Sequence, residues 1–179
     1  MFAAFAQGSL IRLIPVGMVM LALQRTVFVD IKVAGVTVQV VLALAAAAGA
    51  SGGSERGAVA GFVLGAMFDL VEGTPLGSTA IAFTIAGAVA GLLAVITAEP
   101  QWWLKALFVG LGCAAGEALL PVVRVFIGEE SPWPANMLTV ILVVGLAGAL
   151  MSPVLVPLSR WCLKIRGPAW TAPVEQQPI

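Results

Sequence analysis

The stretch GAVAGFVLGAMFDLVEGTPLGSTA, running from Gly57 to Ala80, decides how this chain is read. Gly57, Gly61 and Gly65 recur every four residues, Gly53 precedes them, and Asp69 and Gly73 continue the row. Residues four apart are neighbours on one face of a helix. Glycine in such a row removes the side chains that keep two helices apart, so a second backbone can come close. The row predicts a helix over 56–72 that turns its glycines toward protein and breaks at Glu72-Gly73-Thr74-Pro75. Asp69 ends that face. A carboxylate at the centre of a bilayer costs on the order of 2.5–3.5 kcal/mol, and less toward the interface. It must therefore pair, cap a neighbouring helix, or serve transport.

A bilayer is invoked because of what surrounds this stretch. Of 179 residues, 60% are hydrophobic and 10% are charged, against about 45–50% and about 25% in a soluble domain. A chain this short cannot hide so much apolar surface in one aqueous core. About 20 apolar residues cross a hydrocarbon layer of about 30 Å, and runs of that kind fall at 13–29, 33–50, 56–72, 77–97, 103–127 and 136–160. The expectation is an all-α membrane protein with a bundle of about six transmembrane helices over residues 1–167, followed by a short disordered tail, 168–179. Loops are short; Ser51-Gly52-Gly53-Ser54 separates the second and third spans, and the longest is Gly128 to Pro134. Trp102, Trp103, Trp133 and Trp161 flank the last two spans, as interfacial aromatics do. Pro153 and Pro157 predict a kink in the sixth span.

Charge narrows the function. Nine basic and nine acidic residues cancel, so no basic excess points to nucleic acid. Histidine and tyrosine are absent, which removes the usual proton shuttle and the commonest metal ligand. Cys113 and Cys162 form no metal or redox motif and read as apolar fillers at different depths. No basic region precedes the first apolar run, so signal-peptide cleavage is not expected. Arg12 and Arg25 bracket the first span and should snorkel to opposite surfaces. If the N-terminus is cytoplasmic, Arg12, Arg56, Lys105, Arg160, Lys164 and Arg166 lie inside, and Arg25, Lys32 and Arg124 outside; the positive-inside rule favours that orientation, with both termini cytoplasmic.

The fifth span carries a second polar face. Gly110, Cys113, Glu117, Pro121 and Arg124 fall three or four apart, and such a stripe on an apolar helix should point into the bundle. The depths suggest that Asp69 or Glu117 pairs with Arg124 between the third and fifth spans. The polar set then serves as a clasp inside the bundle, as a contact with a partner protein, or as an ion or substrate path.

The residues of the opening stretch also carry a resemblance. Gly57-x-x-x-Gly61-Phe62-x-x-Gly65-x-x-x-Asp69-Leu70, followed by Leu76-Gly77-x-x-Ala80, resembles the central signature of the MreD family, small bacterial rod shape-determining membrane proteins. The resemblance implies a non-enzymatic protein of the inner membrane that works in side-wall peptidoglycan elongation. Its implied partners are MreC and, through the complex, the filament protein MreB, the polymerase RodA and a class B penicillin-binding protein. It also implies a fold similar to the substrate-binding subunits of energy-coupling-factor transporters. By correspondence Gly61, Gly65, Asp69, Leu76 and Gly77, with Gly57 and Phe62, are packing or partner-contacting positions, and no cofactor is implied.

The competing reading is a membrane subunit that binds a small, vitamin-type molecule for transport, which needs a cavity with convergent polar groups. A secondary transporter should show paired broken helices in two related halves, and no such repeat is visible. An intramembrane hydrolase is disfavoured because no Ser/His set exists and the one other aspartate, Asp30, reads as a loop residue.

Overall fold

The computed structural model describes residues 2–27, 32–33, 35–96, 101–128 and 136–164. They form α1 (Phe2–Thr26), a hairpin of β1 (Lys32–Val33) and β2 (Val36–Thr37), α2 (Val40–Gly52), α3 (Ser54–Glu72), α4 (Ser78–Gly91), the single turn α5 (Leu93–Ile96), α6 (Trp102–Ile127) and α7 (Met137–Cys162). Among the described residues, the regular structure is helical apart from that hairpin. The expected tail, Asp30, and the acidic loop with Trp133 lie outside the described residues.

The organising element is α2. Every residue from Val40 to Ala50 is buried, and the helix touches α1, α3, α4, α6 and α7. Its sequence, VVLALAAAAGASG, explains why. Apolar on every side, it has no face for water, and six alanines are small enough for five neighbours to close around it. A helix of 13 residues is only about 20 Å long, so it occupies the middle of the bundle without reaching both ends.

Around it the chain runs up and down. α3 lies against α4 more extensively than any other pair, and α6 against α7 next. The α6–α7 pair crosses at its glycines: a methyl added to Gly110 would meet Gly145 and Ala149. One end of the bundle gathers the start of α3, the start of α6 and the finish of α7, where Arg12 stacks over the Trp161 ring at 5.0 Å. At the other end α1 and α3 finish together, tied by an ion pair between Arg25 and Glu72. The two arginines of the first span thus sit at opposite ends, each with a partner.

Outer faces are as apolar as the core. Leu138, Leu142, Leu146, Leu150 and Val154 recur every four residues along α7 and are all exposed, as are Leu107 and Leu111 on α6, Phe62 and Leu70 on α3, and Met18 on α1. Among the described residues α6 and α7 are long and apolar enough to cross a membrane, and α2 and α4 are shorter apolar helices.

Several boundaries differ from those read in the sequence. The second helix starts at Val40, not 33, because residues 32–33 pair with 36–37 in register Lys32↔Thr37 and Val33↔Val36. β-branched valines and threonine favour extended backbone, and Gly35 at φ 81° takes the left-handed turn position that other residues adopt only with strain. The first helix spans Phe2–Thr26 rather than 13–29. The fourth ends at Gly91 instead of 97, and Leu92 bonds to Val89 in a tighter turn before α5. The predicted loop at 51–54 shrinks to a break at Gly53 (φ 86°). α7 continues as one helix through Pro153 and Pro157.

Candidate functional site

Three glycines of α3 build the seam with α4. A methyl on Gly57 would run into the Gly87 carbonyl, one on Gly61 into the Phe83 carbonyl, and one on Gly65 into Ala80. From α4, Gly87 and Gly91 return the contact against Gly57 and Ser54. Backbone meets backbone along most of the helix, which is the approach that small residues permit. On the reverse face of α3, Phe62 is 56% exposed and Leu70 is 69% exposed.

At the end of the seam the chain reverses. Gly73, at φ 70°, closes α3 with its N–H on the Asp69 carbonyl. Gly77, at φ 100°, is the N-cap of α4 and has no side chain with which to cap it. The acceptor comes from α3 instead. Asp69, 1% exposed, receives the Gly77 N–H on Oδ2 at 2.8 Å and the Thr79 N–H on Oδ1 at 3.1 Å, with Ala80 N–H at 3.4 Å from Oδ2. The Thr74 hydroxyl donates to Oδ1 at 2.8 Å and that of Ser78 at 3.3 Å. The Ser78 N–H goes to the Pro75 carbonyl. The first N–H groups of α4, which a helix cannot satisfy from within, are thereby accounted for. A carboxylate suits the position because the helix dipole places partial positive charge there and charge-assisted hydrogen bonds are the stronger kind.

This geometry replaces the expected Asp69–Arg124 pair. Both carboxylate oxygens are engaged by donors of the α3–α4 turn, and Arg25 pairs with Glu72 at this end. Arg124 is exposed and shares a cleft of about 280 Å³ with Thr74, Pro75, Ser78, Ile127 and Gly128. It therefore neighbours the hydroxyls that hold Asp69 without bonding the carboxylate itself. Glu117, one of the two acids considered for Arg124, accepts a hydrogen bond from Gln39 Nε2 at 2.7 Å; Arg124, seven residues further along α6, acts on it electrostatically. Leu76 is 72% exposed at the turn. The structure thus gathers Gly57, Gly61, Gly65, Asp69 and Gly77 into one hairpin, while Phe62 and Leu76 point away and Glu117 belongs to another cluster.

That second cluster surrounds the start of α2. Gln39 is its N-cap residue, and the Val41 N–H donates to Gln24 Oε1 of α1 at 3.0 Å. Side chains from α1 and α6 thus meet at a helix terminus inside the bundle. At the opposite end of α2, Ser51 and Ser159 lie 2.8 Å apart, and both donate to the Ala47 carbonyl. Gln24, Gln39, Ser51, Ser159 and Thr79 belong to no motif that the sequence reading uses. The available signal was a glutamine, Gln24, near the end of an apolar helix, and a glycine where α4 would ordinarily carry a capping side chain.

Both cysteines are buried as free thiols. Among the described residues no group of three or more His, Cys, Asp or Glu side chains could hold a metal ion. The polar arrangement holds backbone together at helix ends; its chemistry is that of a clasp. No family model, curated protein or solved structure matches the chain.

Proposed function

We propose that this chain is an integral component of the bacterial inner membrane, a bundle of about six helices of the MreD type. Its work would be non-enzymatic: holding or regulating the partners that build side-wall peptidoglycan. The observation that carries this reading is the hairpin of residues 57–80, the stretch that bears the resemblance. It folds as a closely packed hairpin, with glycines and Asp69 turned inward and Phe62, Leu70 and Leu76 turned outward. On this reading the bundle acts on partners through helix faces and turns, and a clasped hairpin with an apolar outer face is suited to that. Membrane embedding is supported by the apolar exterior, since a soluble monomer rarely exposes contiguous apolar patches beyond a few hundred Å². The shortness of α2 and α4 is compatible with it. Elements that do not reach both surfaces are tolerated at membrane depth where they are buried in protein, and α2 is so buried.

The test is depletion of the protein in its own host, with an affinity-tagged full chain as the sole copy. Depleted cells should lose rod shape, and the tagged chain should co-purify with an MreC-type protein. Rod-shaped cells after depletion, together with thermal stabilisation of the purified chain by a vitamin, would favour the transport reading instead.

A further inference from the structure

A second cleft, of about 290 Å³, opens at the end of the bundle away from Asp69, between the start of α6 and the last turns of α7. Trp102 and Lys105 line it from α6; Ser152, Pro157 and Arg160 do so from α7. Both cations are half-buried. Among the described residues neither makes an ion pair or a side-chain hydrogen bond, and none of those that line the cleft is an acid. Positive charge withdrawn from solvent without an anion is unfavourable, so two such groups on separate helices describe a seat for an anion. The surrounding end is also basic: Arg12, Arg56 and Lys164 lie there with Glu55 as the acid among the described residues.

The outer wall says which anion. Leu138, Leu142, Leu146, Leu150 and Val154 form an exposed ladder along α7 that leads to Pro153 and Pro157 in the cleft, and Trp102, 76% exposed, stands at the rim. A free phosphate has no use for an apolar track. A molecule with a phosphodiester at one end and acyl chains at the other fits both parts, and basic pockets between membrane helices take such head groups. We infer that the α6–α7 cleft binds an anionic phospholipid, its phosphate between Lys105 and Arg160 and its chains along α7. This rests on the membrane reading above.

The experiment uses the full chain purified in a zwitterionic detergent, with phosphatidylglycerol, phosphatidylcholine and inorganic phosphate as probes and native mass spectrometry as readout. Phosphatidylglycerol should be retained in preference to phosphatidylcholine. Lys105→Gln with Arg160→Gln should weaken that retention by roughly thirtyfold, from two basic contacts near a membrane surface. The charge-matched pair Arg56→Gln with Lys164→Gln should leave it within about threefold, because it removes the same charge from the same end but outside the cleft. Equal loss in the two pairs would overturn the cleft as the site. Displacement of the lipid by millimolar inorganic phosphate would overturn the lipid as occupant. Carbonate extraction of host membranes separates the two readings: release of the chain sinks the membrane assignment itself, whereas retention with no lipid preference sinks only the lipid site.

Discussion

Asp69 accepts hydrogen bonds from three backbone N–H groups and two hydroxyls, all within eleven residues of itself. Removing it strands the N–H groups of Gly77, Thr79 and Ala80 at a helix start where α4 offers no side-chain cap of its own. A hydrogen bond to a charged group is worth about 1.5–3 kcal/mol, and loss of a cap costs about 1 kcal/mol. Asp69→Ala should therefore destabilise the purified protein by about 3 kcal/mol, read as unfolding in a graded denaturing detergent. Asp69→Asn should lose about half as much, since one carbonyl oxygen still accepts while the amide nitrogen faces donors. Arg124→Ala should cost clearly less than Asp69→Ala, because the hydrogen bonds that hold the carboxylate come from the α3–α4 turn. A loss at Arg124 equal to that at Asp69 would restore the ion-pair account and remove the capping one.

At the scale of the element, α3 and α4 are held at a distance that only glycine allows. A methyl on Gly61 would stand 2.6 Å from the Phe83 carbonyl carbon and 3.0 Å from Thr84 N, both backbone. Backbone cannot swing aside as a side chain can, so Gly61→Ala must push the helices apart. The loss should be about 1–3 kcal/mol or more, as for overpacked cores. Gly145→Ala is the contrast. There the nearest atoms are Gly110 O at 3.2 Å and Ala114 Cβ at 3.4 Å, and alanine gains about 1 kcal/mol of helix propensity over glycine. Its net effect should stay within about 1 kcal/mol of wild type by the same unfolding assay. The four-residue spacing of the α3 glycines made this seam legible, because periodicity is a property of one helix. For Asp69 the sequence held capping of a neighbouring helix open beside pairing and transport, and it did not choose among them although the ligands lie close in sequence. Reading depth along two helices suggested Arg124 as partner, whereas the deciding fact was local: Gly77 cannot cap α4. The hairpin at 32–37 was missed for a related reason, since β-branched apolar residues satisfy a hydropathy window and an extended strand alike. The buried position of α2 could be guessed from its all-round apolar sequence, but not which helices surround it.

For the whole molecule, the uneven distribution of base between the two ends predicts an orientation under the proposed membrane reading. Arg12, Arg56, Lys105, Arg160 and Lys164 belong to the end where α3 and α6 begin and α7 finishes, and Arg25, Lys32 and Arg124 to the other. Basic residues near membrane segments are retained on the cytoplasmic side. The α3–α4 turn with Asp69, and the Arg124 cleft beside it, should then face the exterior, while the Lys105–Arg160 cleft faces the cytoplasm. Since Cys113 and Cys162 are both buried, single reporter thiols can be placed against a quiet background after Cys113→Ala and Cys162→Ala. Leu76→Cys sits at the exposed turn and Glu55→Cys at the opposite end of α3. In intact cells stripped of any outer barrier, a membrane-impermeant maleimide should label Leu76→Cys and spare Glu55→Cys, and lysis should make Glu55→Cys reactive. The reverse pattern would invert the molecule, put the capped hairpin in the cytoplasm, and move any wall-side partner to the opposite end. Equal labelling of both thiols before lysis would mean that the chain does not stand across the membrane, and the apolar ladder on α7 would then need a protein to cover it.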